Sequence, residues 1–226
     1  MANCEQCIVR DLSSLKALSK EDLIHLSNCK ESFVVKKGET FFEEGNALKG
    51  VYCIKEGVCK LVKMNSQGKD TILKLVKKGE LLGQRTVFSE EISNLSAVAV
   101  EDMKVCFIPK SELLYFYENN SKFSREIAKD FCSQLKEAND FAANHTHKTV
   151  KQRLAITLLN IKDINGVTED GYLKLQLSRE EISSMVGTAT ESCIRLLSEM
   201  KKEGYIELSG KKIKILDIKN LQLLAE

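Results

Sequence analysis

Short stretches in which apolar and polar residues alternate follow one another from Ser32 to Ile108. GVYCIK, GVCKLVKM and TILKLV are examples, and turn-forming glycines stand between the stretches. Short strands at regular spacing, separated by turn residues, are typical of a β-sandwich or jelly roll. Pro109, the only proline, closes this region, and a helix opens at Ser111. The pattern therefore predicts a β-roll that ends near Pro109.

Helical periodicity flanks the predicted strands on both sides. Ser19 followed by Asp22 resembles a capping box, so a short helix is expected over residues 19–26. After the strands, apolar residues recur at helical spacing from Ser121 to about His145 with no cap or break. A helix of this length usually pairs with another, which predicts a dimerisation helix; the alternative is a helix that lies wholly on its own β-domain. The expected interface residues are Ile127, Phe131, Gln134, Leu135, Ala138 and Phe141.

The C-terminal third contains two capped helical segments separated by a glycine. Ser178 with Glu181 forms a capping box at the start of the first segment. Gly187 then interrupts the pattern, because glycine turns there without a Cβ penalty. Thr188 with Glu191 reads as a second capping box, so a second helix is expected to begin at once. The pair predicts a helix-turn-helix, although two capped amphipathic helices also occur in ordinary helical domains.

The outer face of the second helix carries short polar side chains and one arginine. Its outward residues include Thr190, Glu191, Ser192 and Arg195. A major groove admits such a helix, since arginine pairs in bidentate fashion with guanine and glutamate accepts from cytosine. Behind the helix, YIEL and KIKIL alternate around Ser209-Gly210, which predicts a β-hairpin. A helix-turn-helix followed by a hairpin is a winged helix.

Composition narrows the class of protein. Charged residues make up 29% of the 226 and hydrophobic residues 43%, which suits two modest globular domains. No apolar run approaches the ~20 residues of a membrane helix, and MANCEQC lacks the layout of a secretory signal. We therefore expect a cytoplasmic protein with no membrane partner. In such a protein the eight cysteines are thiols, core residues or ligands before they are disulfides.

The net charge of +2 is too small to indicate a partner. Binding to nucleic acid would have to depend on the local placement of basic side chains, because phosphate contacts dominate its affinity. A solvated basic face is the alternative for any one of them. The candidate phosphate contacts are Lys148, Lys151, Arg153, Lys201, Lys202, Lys211 and Lys212.

A β-roll, a long helix and a winged helix in this order resemble the CRP/FNR family, the bacterial regulators related to the cyclic-AMP receptor protein and the fumarate and nitrate reduction regulator. The resemblance covers nearly the whole chain, and its most specific motif is Gly187-Thr188-x-x-Glu191-Ser192-x-x-Arg195-x-Leu197. Further matching positions are Lys37-Gly38, Glu44-Gly45, Gly57, Gly68, Lys78-Gly79, Gly83, Ile108-Pro109 and Arg153-Leu154.

The resemblance implies an α+β fold in three parts. A cyclic-nucleotide-binding-type β-roll (jelly roll) would occupy residues 1–120, a dimerisation helix and hinge 121–146, and a winged helix-turn-helix 147–226. Glu191 and Arg195 would read bases, Ser192 would contact phosphate, and Thr190 and Ile194 would tune the preferred sequence. The expected DNA contacts are thus Thr188, Thr190, Glu191, Ser192, Ile194 and Arg195.

The effector pocket departs from the cyclic-AMP binders of this family. Those proteins use a glycine-glutamate pair and an arginine-serine pair, where this chain has Gly83-Gln84 and Leu95-Ser96. Leucine cannot replace the charge-assisted partner of the cyclic phosphate. We therefore expect no cyclic-AMP binding, while Arg85 is either a partner for a different anion or a structural arginine.

Three cysteines match positions that ligate an iron–sulfur cluster in the oxygen-sensing branch of the family. They are Cys4 and Cys7, spaced Cys-x-x-Cys, and Cys106. Where that branch has a further N-terminal cysteine this chain has Ser13, and a serine hydroxyl substitutes poorly for a thiolate. The resemblance leaves two interpretations open. In one, the three cysteines bind an iron–sulfur cluster and Asp11 or Cys29 supplies the fourth ligand. In the other, they are thiols and no cluster is bound. The remaining cysteines in apolar surroundings, Cys53, Cys59, Cys132 and Cys193, read as small core residues.

These observations predict a homodimeric, sequence-specific transcription regulator that responds to an effector or redox signal other than cyclic AMP. Its partners would be a pseudo-palindromic double-stranded DNA operator, a second copy of the chain and, by the resemblance, RNA polymerase. The alternative is a ligand-binding β-roll whose C-terminal domain docks protein, which a weak salt dependence would indicate. An enzyme is not expected, since nothing in the sequence places a cysteine beside a histidine and an orienting acid.

Overall fold

The computed structural model describes residues 4–64 and 70–226, which divide into two units. The first unit contains the residues up to 63 together with 75–137, and the second contains residue 64, 70–74 and 138–226. Gly68, one of the positions that carry the resemblance, lies outside the described residues.

The alternating stretches form two four-stranded sheets, as the pattern predicts. The strand orders are β1-β8-β3-β6 and β2-β7-β4-β5. The central strands β3 and β8 pair antiparallel, and Gly50 lies so close to Ile108 that an added Cβ would be 2.1 Å from its carbonyl oxygen. The strands are β1 Glu31–Val35, β2 Thr40–Phe42, β3 Gly50–Glu56, β4 Cys59–Met64, β5 Asp70–Val76, β6 Leu81–Leu82, β7 Ser96–Ala99 and β8 Met103–Pro109.

The central strands β3 and β8 of the first sheet are largely buried on both faces, whereas the edge strand β1 is mostly exposed. Successive side chains of a strand point to opposite sides. Ile54 and Val105 face the core between the sheets, which also contains Phe42 and Ala97. Their neighbours Cys53 and Cys106 face the opposite way, into a second core built with helices. Those helices are α1 Lys20–Cys29, α2 Gln84–Ser89, α3 Lys110–Asn119 and α4 Ser121–His147, preceded by 3-10 turns at Cys4–Gln6, Ile8–Leu12 and Ser14–Ala17.

The two helices that the pattern places around the strands are confirmed. Ser19 and Asp22 form the expected capping box of α1, which continues beyond the predicted end to Cys29. The long helix α4 begins after Asn120, whose side-chain oxygen accepts hydrogen bonds from the Lys122 and Phe123 amides at 3.1 Å each. In this way Asn120 satisfies two amides of the first turn that no helical carbonyl can reach.

The second unit is a helix-turn-helix with a hairpin. The hairpin pairs Lys212 with Ser209 and Ile215 with Ile206, as the alternation predicts. The part of the chain that the structure describes contains no helix long and apolar enough to cross a membrane. The elements of this unit are α5 Val150–Asn165, α6 Arg179–Val186, α7 Thr190–Lys202, β9 Ile206–Ser209, β10 Lys212–Ile215 and α8 Ile218–Ala225.

Candidate nucleic-acid interface and sensing residues

The turn between α6 and α7 follows from hydrogen bonds at the two ends of α6. Ser178 Oγ accepts from the Glu181 amide at 3.1 Å, and the Glu181 carboxylate accepts from the Ser178 amide at 2.9 Å, so the predicted capping box is confirmed. Gly187 ends the helix in the left-handed region at φ +70°. The Thr188 amide then donates to the Ser183 carbonyl, which completes a Schellman-type stop.

The second capping box is a correction to the sequence prediction. Helix α7 begins at Thr190, its N-cap is Ala189, and no side chain caps it. The reason is that the Thr188 amide is still occupied in ending α6, so Thr188 belongs to the turn. Thr190 faces back toward α6, with its hydroxyl 3.1 Å from that of Ser183.

Helix α7 has one buried and one exposed face. Cys193, Leu197 and Met200 are buried, as the spacing predicts. On the outer face Glu191, Ile194 and Arg195 are exposed and Ser192 is half-buried. The Arg195 side chain is 74% exposed and lies 4.0 Å from Glu199, a contact too long and too open to water to fix the guanidinium. The outer face therefore presents polar side chains at the N-terminal end of the helix.

Three of the candidate phosphate contacts are engaged within the chain. The Arg153 guanidinium donates to the Val186 carbonyl at 2.8 Å and to the Lys148 carbonyl at 2.7 Å. Lys148 Nζ donates to the Ala225 carbonyl at 2.9 Å, and Lys151 pairs with Glu203 at 2.7 Å. Arg153 thus stabilises the C-terminal end of α6, which the sequence could not indicate. Lys201, Lys202, Lys211 and Lys212 are exposed.

The polar groups expected around an effector satisfy one another. The Arg85 guanidinium donates to the side-chain oxygen of Asn94, and Ser96 Oγ accepts from the Glu44 amide at 2.9 Å. Gln84 is buried, and Leu95, where the resemblance expects arginine, is half-buried and apolar. Gly83 forms the N-cap of α2 at φ +91°. The Glu44 carboxylate forms an ion pair with Lys63 in the same corner, so the lysine cation there is already paired.

Aromatic side chains fill the β-roll next to this corner. The Tyr52 ring packs against Phe42 at a centroid separation of 5.7 Å and against Phe41 at 5.4 Å. Phe107 lies 5.2 Å from the same ring. This packing leaves the polar residues of the corner bordered by an apolar interior.

The three cysteines singled out by the resemblance come together against the first sheet. Cys4 and Cys106 are buried in the same helix-facing core, and Cys7 is half-buried. Lys30 lies among them: burial lowers the pKa of its ammonium, but a hydrogen bond with Cys4 and the proximity of Cys106 and Cys7 raise that pKa overall. The cysteines therefore gather around one cation.

Cys53 is buried in the same core, as its apolar surroundings predict, and it joins this group; of the four cysteines interpreted as core residues, only Cys132 is exposed. Cys53 lies directly opposite Cys106 in the β3–β8 pairing and points to the same face. Burial raises the pKa of the Cys53 thiol to about 12, and Cys106, Cys7 and Cys4 add to that increase. Only the strand register shows this proximity, because the two cysteines are far apart in the sequence, at positions 53 and 106. Cys4, Cys7, Cys53 and Cys106 are called the thiol cluster below.

Ser13 and the two residues suggested to complete the ligand set, Asp11 and Cys29, each have other partners. Ser13 Oγ donates to the Arg10 carbonyl at 3.0 Å and accepts from the Leu15 amide at 3.3 Å, so it caps a 3-10 turn. Asp11 is exposed and pairs with Arg10. The Cys29 sulfur lies beside His25 instead, at 3.8 Å from Nε2.

The expected dimerisation residues differ in their exposure along α4. Ile127 is only 1% exposed and belongs to the core of its own unit, so its assignment to an interface is corrected. Phe131 is half-buried and meets the Phe88 ring edge-on at 5.7 Å. Gln134, Leu135 and Ala138 lie in a stretch, residues 132–140, in which every residue is exposed. Phe141 is half-buried, with its ring 4.1 Å from that of His145.

Two family models match the chain in the order of these parts. The cyclic nucleotide-binding domain matches residues 33–120, and the Crp-like helix-turn-helix domain matches residues 152–224. The transcriptional activator protein Anr of Pseudomonas aeruginosa is 27% identical over 99% of this chain and 93% of its own length. The transcriptional activator protein FnrA of Stutzerimonas stutzeri is 25% identical over the same shares.

Solved structures show the same fold. FixK2 from Bradyrhizobium japonicum superposes with a TM-score of 0.78 at 24% identity, over 87% of this chain and 98% of its own. A transcriptional regulator of the Crp/Fnr family from Eubacterium rectale has a TM-score of 0.76 at 20% identity, over 93% and 96%.

Proposed function

This chain belongs to the CRP/FNR family of transcription regulators and is a DNA-binding regulator, and we propose that it works as a homodimer that responds to a signal other than cyclic AMP. The observation that carries the proposal is the polar outer face at the start of α7, held against α6 by its buried face. In a dimer, two such helices enter successive major grooves about 34 Å apart on a pseudo-palindromic operator.

Recognition of bases is assigned to Glu191 and Arg195, which are one turn apart and exposed. Arg195 suits a bidentate contact with guanine, and Glu191 can accept from the amino group of cytosine. We assign a phosphate contact to Ser192 and an influence on the preferred sequence to Ile194 and to Thr190, whose hydroxyl faces Ser183 of α6. Exposed Lys201, Lys202 and Lys211 supply phosphate contacts that carry no sequence information.

The test begins by selecting a preferred site from a random double-stranded DNA library with the full chain. Arg195→Ala is then expected to weaken binding to that site by about 5- to 150-fold, the 1–3 kcal/mol of a bidentate guanine contact, and to relax the preference at one base pair. Arg125→Ala is the matched control, because it removes an exposed arginine from α4 instead.

Two results would contradict the assignment. One is an Arg195→Ala protein with unchanged affinity and base preference. The other is binding that hardly responds to added salt, which would favour a C-terminal domain that docks protein.

Dimerisation is supported by the exposed part of α4. Leu135 and Ala138 are apolar and exposed on a long helix, and exposed apolar residues at helical spacing are typical of a helix-pairing face. A signal in the first unit would act by shifting the population between dimer arrangements, only one of which spaces the two α7 helices correctly. RNA polymerase is proposed as the protein partner of the DNA-bound dimer, on the strength of the family.

A signal other than cyclic AMP is supported by the corner around Ser96. Leu95 offers no charge to a cyclic phosphate, and the nearby ammonium of Lys63 is already paired with the Glu44 carboxylate. Arg85 already donates to Asn94, so it would have to break that bond to bind an anion.

The thiol cluster is the proposed sensing site. Cys53 would take the place of the fourth cysteine, since this chain has a serine, Ser13, at that position. The donor set suits an iron–sulfur cluster, since four thiols are its usual ligands and here Cys4, Cys7 and Cys106 lie close to Cys53. When bound, such a cluster would supply a group that oxygen or nitric oxide attacks. Cys53 and Cys106 would hold it on the rigid sheet, while Cys4 and Cys7 would hold it from the N-terminal turn.

The sensing proposal is tested on protein prepared without oxygen. Visible absorbance, iron and sulfide assays are expected to show a cluster that bleaches in air, with dimerisation reduced in parallel. Cys53→Ala should lose the cluster, whereas Cys59→Ala, a buried cysteine in the other core, should keep it. Colourless, iron-free protein that still dimerises and binds DNA would refute the cluster and leave the DNA-binding proposal intact.

A further inference from the structure

His25, Cys29 and Glu112 bring a nitrogen, a sulfur and a carboxylate oxygen to one point on the surface of the first unit. His25 Nε2 lies 2.6 Å from Glu112 Oε2 and 3.8 Å from Cys29 Sγ, and the three atoms are all within 4.8 Å of one another. Among the described residues, this is the one group of three or more histidine, cysteine and acidic side chains that converges so closely. It shares no residue with the thiol cluster.

Two helices position the three side chains. His25 and Cys29 are four residues apart on α1, so they lie on the same face one turn apart. Glu112 comes from the first turn of α3. The imidazole is oriented by two rings of α3, with Tyr115 at a centroid distance of 6.2 Å and Phe116 edge-on at 6.1 Å.

A cysteine, a histidine and an acid side by side also suggest a catalytic triad, but the geometry excludes that arrangement. In a triad the histidine uses one ring nitrogen for the nucleophile and the other for the acid. Here the sulfur and the carboxylate both approach Nε2. A single nitrogen cannot accept the thiol proton while it donates to the carboxylate. Three donors that converge on one point are instead the arrangement of a metal site.

We infer that His25 Nε2, Cys29 Sγ and Glu112 Oε2 bind a divalent transition-metal ion of the zinc class, with solvent as the fourth ligand. Nitrogen, thiolate and carboxylate are all zinc ligands, and three protein ligands plus water is a common set. In tetrahedral zinc the nitrogen and sulfur ligands are roughly 3.5 Å apart, close to the 3.8 Å observed. The nitrogen and oxygen would be roughly 3.3 Å apart, so the carboxylate must withdraw by less than ~1 Å.

Solvent can reach this site. The His25 side chain is 52% exposed and that of Glu112 20%, so an ion can enter without opening the core. Once bound, the ion would tie α1 to α3 and would stabilise the folded chain in proportion to its free concentration.

The test titrates zinc chloride into chelator-treated full-length protein by calorimetry. The starting protein carries Cys7→Ser and Cys106→Ser, so that the thiol cluster cannot bind the metal. One zinc per chain is expected. His25→Ala, Cys29→Ser and Glu112→Gln, each added to this protein, should weaken its binding by at least about tenfold. His147→Ala, which removes another exposed histidine, should leave it unchanged.

Cobalt(II) provides a second measurement, in case the doubly substituted protein folds poorly. The unsubstituted chain should show the visible bands of tetrahedral cobalt with a thiolate ligand, and Glu112→Gln and His25→Ala should each lower the bound cobalt by one ion per chain. The inference is overturned if these variants bind zinc and cobalt as the parent does, or if the parent binds neither. Both outcomes leave DNA binding through α7 untouched.

Discussion

The exposed leucine of α4 allows the proposed dimer to be tested quantitatively. Leu135 is 63% exposed in the single chain, and full burial of a leucine contributes about 1.5–3 kcal/mol. Burial of the exposed part would therefore contribute about 1–2 kcal/mol per protomer. A symmetric interface uses the residue twice, which gives about 2–4 kcal/mol per dimer. Leu135→Ala should thus raise the dimer dissociation constant by about 30-fold to nearly 1000-fold.

Sedimentation equilibrium over a range of protein concentrations measures this change. Leu223→Ala is the matched control, since Leu223 is also 63% exposed but lies on α8, and it should leave the dissociation constant unchanged. Ile127→Ala should behave differently again, because Ile127 fills the core: it should lower the free energy of unfolding by about 2–5 kcal/mol. The proposed interface would be refuted if neither Leu135→Ala nor Leu223→Ala changed the dimer dissociation constant.

Three further predictions concern stability, each measured by denaturant or acid unfolding. Ser178→Ala should cost about 1 kcal/mol, since it removes the cap of α6, and no loss would mean that the capping box is dispensable. Gly187→Ala should cost about 1–2 kcal/mol, because φ is +70° and the new Cβ would lie 3.0 Å from His145; a stabilised variant would contradict the strain. Hydrogen bonds that the Glu126 carboxylate accepts from Lys129 and Lys16 lower its pKa from 4.5 to about 2. The stability that this pKa shift contributes is fully present above pH 4.5 and is lost as the pH falls toward 2. Glu126→Gln should therefore flatten that part of the acid unfolding curve, and an unaltered curve would argue against the ion pairs.

The sites were predictable to different extents. The buried face of α7 follows from helical spacing, since Cys193, Leu197 and Met200 recur on one side. The N-cap of the same helix was predicted one residue early, at Thr188 and not Ala189, because the local pattern of Thr188 and Glu191 does not show that the Thr188 amide is already used to end α6. Competition between neighbouring helices for one backbone group is not visible in a capping motif.

For the basic residues, too, the sequence identifies the candidates but not the contacts that they make. Arg153 and Lys201 are both basic candidates for phosphate contacts, yet Arg153 donates to backbone carbonyls of the chain and Lys201 is exposed. Charge alone identifies a candidate phosphate contact, whereas the hydrogen bonds that occupy it depend on the packing of α5 against α6.

The sequence alone determined the elements of this protein and their order, because hydrophobic period, caps and turn glycines act over a few neighbouring residues. It thereby determined the β-roll, the long helix and the winged helix-turn-helix. Only the tertiary structure decided which distant side chains meet. Strand register sets Cys53 opposite Cys106, and the packing of α1 on α3 brings Glu112 to His25 and Cys29. Such contacts join residues far apart in the chain, so no local pattern records them.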